Sequence, residues 1–409
     1  MDFWKGFPEK SELLAWAQKK RDGNIRLVNA HMHTPYSFSA FTDITQPLNM
    51  AVKEGVSVVG INDFYTTEGY KEWASGCSER KLFPLFNIEY ISLNSDDQAA
   101  GIKVNDPNNP GRTYLSGKGL AYPAHLPAPY DTKLKSVLKE SNIQVQKMCD
   151  RLNEVLKKCN AGFQLDYTEI KATMTKGMVR ERHLAKALRK KINDNCITIF
   201  DKQLIYKNIF GGKALQSDYD NAAAIENEIR GNLLKAGGAA FIAESPKAFL
   251  DMETVCQMIL KAGGIPTYPF LADDNNGNFT EFEGSKEKAL KTLKKRNICS
   301  VEFITTRNSL ATLEEYAIFF NANGFVVTFG SEHNTPAMEP IELFARGNTP
   351  LSEMLLEINY QGACITAAHQ YLVAKEGSGY LNSEGKPKLN EREKFVALGK
   401  ALIEYQIKN

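Results

Sequence analysis

His31-Met32-His33-Thr34-Pro35-Tyr36-Ser37 follows an apolar-alternating run, Ile25-Arg26-Leu27-Val28-Asn29-Ala30, and the reading of this stretch decides the fold. Two histidines at i and i+2 of a strand leave from the same face, so both imidazoles can reach one cation. His is the commonest metal ligand near neutral pH. The same spacing also suits two hydrogen-bonded core or loop histidines, and from the residues alone both readings stay open.

Working outward, the same arrangement recurs. Residues 56–61 form a β-branched run that delivers Asp63 at its end, and the apolar run 82–93 delivers Glu89. Residues 264–268, 298–304 and 324–329 are further short buried-strand patterns, separated by helical stretches such as 285–295 and 310–321. Strands alternating with helices, each strand ending in polar residues, predict an α/β fold, a parallel barrel with its site at the strand C-termini. The expected organisation is an N-terminal helix at 1–24, a first barrel part at 25–129, a helical insertion at 130–244, and a second barrel part with C-terminal helices at 245–409.

Within the insertion, residues 132–159 read as a helical hairpin. Residues 171–191 are rich in Lys and Arg with Glu181 as the one acid, either a solvated helix face or an anion-attracting rim. Residues 101–123, full of Gly, Pro and Asn, predict a turn-rich loop over the site. Arg112 and Lys118 on that loop are candidate substrate-binding residues, Arg as a bidentate fork and Lys as a point charge. A solvated loop with no role is the alternative. Ser116-Gly117-Lys118-Gly119 lacks the frame of a P-loop.

The chain has 409 residues, 43% hydrophobic and 24% charged, which is ordinary globular usage. A formal charge of +2 argues against an obligatory nucleic-acid partner. No apolar run of about 18 residues suggests a membrane span, and Met1-Asp2-Phe3-Trp4-Lys5-Gly6 does not read as a signal peptide. Seven scattered cysteines without a Cys-x-x-Cys pair suit reduced thiols and a cytoplasmic location. Oligomeric state leaves no mark in the sequence.

His-x-His-Thr-x-Tyr-Ser resembles the opening motif of the PHP (polymerase and histidinol phosphatase) superfamily of metal-dependent phosphoesterases. Gly60-Ile61-Asn62-Asp63-Phe64, Asn87-Ile88-Glu89, the stretch Gly263-Gly264-Ile265-Pro266-Thr267-Tyr268-Pro269, and Gly330-Ser331-Glu332-His333-Asn334 resemble its later motifs in order. The resemblance implies a distorted seven-stranded, TIM-like (β/α)7 barrel of the PHP type with a long helical insertion. It also implies a first metal ion held by His31, His33, Glu89 and Glu332. Positions where the family places further ligands are Ala40, Phe64, Tyr268 and Asn334 here, so one tightly bound divalent ion, Zn, Mn or Fe, is expected. Only His125 and His333 remain to help a second ion. Asp63 is expected as orienter or general base, and His333 as proton donor to the leaving group. Arg182-His183-Leu184-Ala185-Lys186-Ala187-Leu188 resembles a segment of the nucleotide-phosphatase branch, which makes His183 a candidate to meet substrate, with a structural role as the alternative. His369 is expected to be structural.

The implied function is hydrolysis of a small anionic substrate, a phosphorylated metabolite or nucleotide, through a metal-bound hydroxide. Two alternatives remain: a mononuclear amidohydrolase-like enzyme acting on a sugar or amide, and a non-catalytic binding protein with a vestigial metal site.

Overall fold

Seven strands form one sheet in chain order: β1 (Leu27–Met32), β2 (Val56–Phe64), β3 (Phe83–Leu93), β4 (Arg112–Lys118), β5 (Ile265–Phe270), β6 (Ser300–Ile304) and β7 (Val326–Gly330). The computed structural model describes residues 3–20, 24–38 and 40–409. Strands such as β2 and β3 are buried along nearly their whole length, so both faces are apolar rather than alternating. β7 comes round beside β1. There the His33 amide donates to the Glu332 carbonyl and the Glu332 amide to the His31 carbonyl, both at 2.9 Å, and nearly close the barrel. The approach is tight, because a Cβ on Gly330 would lie 2.2 Å from the His31 Cβ.

Helices cover the outside, among them Thr45–Lys53, Tyr70–Glu79, Met252–Lys261, Lys286–Lys295, Leu310–Ala322 and Glu353–Glu376. Several start where a side chain satisfies a free amide of the first turn. Asp251 accepts from the Thr254 amide, Ser285 from Lys288 and Ser309 from Thr312.

Two expectations are corrected. Residues 112–118 are strand β4 rather than loop, and β4 runs antiparallel to both β3 and β5, so the barrel is not wholly parallel. Thr113-Tyr114-Leu115 supplies β-forming residues between turn-rich flanks, and those flanks dominate the composition. Residues 132–159 are no hairpin. Residues 132–158 lie in one helix, Tyr130–Lys158, which contains neither Gly nor Pro to break it, and Cys159 caps its end.

The insertion continues through Tyr167–Met174, Glu181–Asn195, Ile199–Ile209 and Ala222–Ile229. Its apolar faces bury one another in a second core, around Leu152, Leu184, Leu188, Ile192, Ile229 and Leu233, apart from the barrel core.

Candidate metal centre

His31 lies near the end of β1, His33 just past it, and Glu89 on β3, where the hydrogen-bonding register sets it beside Phe64 of β2. The Glu89 Oε2 is 3.3 Å from His33 Nε2 and 3.7 Å from His31 Nε2. One donor atom from each residue falls within 4.8 Å of the other two, and all three side chains are buried. His33 Nε2 and Glu89 Oε2 have no hydrogen-bond partner among the described residues. A buried acceptor or donor left unpaired is costly. Two imidazoles and a carboxylate converging on one point therefore fit a divalent ion by donor chemistry as well as by place.

The trio is held from behind. On β6, Glu302 places Oε2 2.6 Å from His31 Nδ1, which aims the ring's Nε2 toward Glu89. The other Glu302 oxygen pairs with the Lys118 ammonium, whose Nζ also donates to the Ala30 carbonyl at 3.1 Å. All three are buried. Burial opposes the charge on His31, but Glu302 and Glu89 outweigh it and raise the imidazole to about 9. Burial likewise opposes the Glu89 carboxylate, and His31 and His33 overcome it and hold its pKa at about 2. Lys118 and His31 keep Glu302 below its ordinary value against the same burial penalty.

Asp63 is buried and organises the turn after β1. It accepts the Thr34 amide at 2.7 Å, the Thr34 hydroxyl at 2.5 Å and the Ser37 hydroxyl at 2.5 Å. Ser37 Oγ lies 3.3 Å from His33 Nδ1, so Asp63 is placed to orient His33 through Ser37. Burial raises its pKa despite His33 and these donors.

The structure does not gather the other candidates around the trio. Glu332 lies on the wall of the same cavity, with its carboxylate paired to Arg307. Its φ of +68° and that of His333, +46°, put two consecutive non-glycine residues in the left-handed region where β7 ends. His333 is stacked on Phe41, with Nδ1 2.5 Å from Ser331 Oγ and Nε2 2.8 Å from the Glu339 carbonyl oxygen, so both nitrogens are engaged. Arg112 pairs with Glu244 and sits over the Phe249 ring. Lys118 is inside the barrel behind His31, out of reach of a substrate in the cavity. His183 is buried in the insertion, where its Nδ1 accepts the Arg180 amide at 2.9 Å. His125 is exposed on the surface.

Above the trio opens a cavity of about 290 Å³, walled by Phe38, Phe64 and Tyr114 and by cations of the insertion, Arg180, Arg182, Arg230 and Lys235. Sequence reasoning missed Glu302 and these arginines. A glutamate inside the apolar run Val301-Glu302-Phe303 was the signal for the first, and the basic 171–191 stretch for Arg180 and Arg182; Arg230 lies outside that stretch.

No family model matches the chain, and no curated protein matches it. Among solved structures, a protein assigned as a metal-dependent phosphoesterase from Bifidobacterium adolescentis is similar, with a TM-score of 0.52 at 15% identity, covering 82% of this chain and 96% of its own. An amidohydrolase from Chromobacterium violaceum, solved with sulfate and without metal, matches at a TM-score of 0.48 and 15% identity over 81% of this chain and 96% of its own. The first likeness is one of fold: an α/β, TIM-like barrel of seven strands. The nearly closed barrel and its His/Glu cluster fit the PHP-like site read from the sequence.

Proposed function

We propose that this chain is a metal-dependent hydrolase whose substrates are phosphate esters. One observation carries the reading: His31, His33 and Glu89 converge with two unpaired buried donor atoms at the floor of a cation-walled cavity. The description of the B. adolescentis protein as a phosphoesterase that depends on metal supports it in kind.

A divalent ion held by the three residues would lower the pKa of a coordinated water toward neutrality and polarise the ester oxygen it faces. The chain's own residues do the rest. Glu302 fixes the His31 ring, and the Asp63–Ser37 pair faces the far side of His33. Phe64 stacks on His33 with ring centroids 5.2 Å apart and closes that flank to water. Arg307 and the arginines of the insertion supply positive charge where an anionic ester enters.

The test is phosphate release from a panel of phosphomonoesters by protein supplied with Zn, Mn or Fe(II), alongside His33→Ala and Glu89→Gln. Release that requires the metal and falls to background in both variants is expected. No release with any of the three metals, or an undiminished rate in His33→Ala, would overturn the reading.

A further inference from the structure

The charges on the cavity wall do not cancel. Arg230 Nη2 and Lys235 Nζ share Glu181, at 2.9 and 3.3 Å to its Oε1, and Arg307 takes Glu332. Arg180 and Arg182 have no carboxylate partner among the described residues. Each guanidinium lies over aromatic rings instead, Arg180 4.8 Å from the Phe64 centroid and 5.5 Å from that of Phe38, and Arg182 5.5 Å from Phe38. A ring face holds the guanidinium plane while leaving N–H edges open. Among the described residues, the one hydrogen bond from the Arg182 side chain is a long one, Nη2 to Asn334 Oδ1 at 3.4 Å. Next to them Arg230 Nε is buried without an acceptor among the described residues.

We propose that Arg180 and Arg182, carried over the barrel by the helical insertion, are the binding site for the dianionic phosphate group of the substrate. The proposal rests on the hydrolase reading for the substrate, and on the cavity alone for the anion. The backbone is set for the task. His183 Nδ1 accepts the Arg180 amide and the His183 amide donates to the Arg180 carbonyl, both at 2.9 Å, which fixes Arg180 as the residue capping helix Glu181–Asn195 and Arg182 in its first turn. Burial and the like charge of Arg230 together pull Arg182 down to about 10, a cost that a bound anion relieves. Two planar forks converging on one cavity suit a tetrahedral dianion with several acceptor oxygens. This assigns to Arg180 and Arg182 the role that the sequence suggested for Arg112 and Lys118. It also turns the basic 171–191 stretch into an anion-attracting rim.

Calorimetric titration of inorganic phosphate into the chelator-treated full chain tests this. Arg180→Ala and Arg182→Ala are each expected to weaken binding roughly tenfold or more, the scale of one charge-assisted hydrogen bond. Lys190→Ala, at an exposed position on the same helix, is expected to leave binding unchanged. Unchanged affinity in both arginine variants, or no phosphate binding by the parent chain, would overturn the proposal. If a variant fails to fold, phenylglyoxal labelling of the parent settles the question: phosphate must protect Arg180 and Arg182, and unprotected labelling there overturns it. His33→Ala separates this inference from the hydrolase reading. Phosphate binding that persists in His33→Ala and is lost in the arginine variants supports the anion site, whether or not any ester is hydrolysed. Binding lost in His33→Ala but kept in the arginine variants would sink it.

Discussion

Glu302 and Lys118 set the energetic problem at the level of single residues. Both are fully enclosed by the barrel and pair with each other, Glu302 sharing its carboxylate with His31. Removing one partner of a buried ion pair leaves an uncompensated charge and costs about 3–5 kcal/mol, whereas removing both is much milder. Glu302→Gln and Lys118→Met are each expected to destabilise by about 3 kcal/mol in urea unfolding, with the double variant losing at least ~1 kcal/mol less than the sum. Strict additivity would show that the two charges do not depend on each other. The pair also explains what a sequence reader can miss. Lys118 sits in Ser116-Gly117-Lys118-Gly119, a string that composition assigns to a loop, and only its place in β4 opposite Ile265 of β5 and its pairing with Glu302 show that its side chain turns inward. His31 and His33 were legible because an i, i+2 pair at the end of a strand is a local property, and Glu89 because its motif resembles one of a known family. The partner of His31 was not, since Glu302 is 271 residues away and pairing across a barrel leaves no local pattern.

Among the elements, the long helix Glu353–Glu376 shows how a histidine can serve packing alone. His369 Nε2 donates to the Gly263 carbonyl at 2.8 Å and its Nδ1 accepts the Tyr380 amide at 2.8 Å, so the ring is neutral and ties the helix to the start of β5 and to the following loop. Burial lowers its pKa from 6.5 to about 4. A folded-state value below the unfolded one means that the unfolded chain binds the proton first. The stabilisation is whole above pH 6.5 and is lost as pH falls toward 4. Between pH 7 and pH 5 this one group is expected to remove about 2 kcal/mol of stability. Urea unfolding at the two pH values measures it: His369→Gln should show a drop smaller by about that amount, and an identical drop would refute the assignment. Element type was readable wherever periodicity was strong, as in the helical stretches 285–295 and 310–321, met by Lys286–Lys295 and Leu310–Ala322. Sequence reading failed at β4, where seven strand residues are hidden between turn-forming neighbours, and at Tyr130–Lys158, where charged residues imitated a break that no Gly or Pro supplies.

For the whole molecule, the metal trio exists only when β1 and β3 lie two strands apart in a closing barrel, so an ion that binds there binds the folded chain and not the unfolded one. Among the described residues there is one group of this kind. The places where a second ion would need donors are otherwise engaged. Phe64 is stacked on His33, the Tyr268 hydroxyl donates to Glu283 at 2.7 Å, and both nitrogens of His333 are held by its own loop. One tightly bound equivalent per chain is therefore expected by elemental analysis of protein purified without added metal. Linkage gives the size of its effect on stability: at a free-ion concentration about 100 times Kd, folding gains about 2.7 kcal/mol. Calorimetric unfolding of chelated protein, before and after one equivalent of Zn or Mn, should show Tm rising in the parent and staying fixed in His33→Ala. Glu332→Gln distinguishes a ligand from a neighbour. Its carboxylate is already taken by Arg307, so this change is expected to cost less metal affinity than His33→Ala or Glu89→Gln. Equal losses in all three would make Glu332 a fourth ligand that leaves Arg307 when the ion arrives. Two or three tight equivalents in the parent would mean that the barrel gathers donors beyond this trio, and the single-ion account would fail.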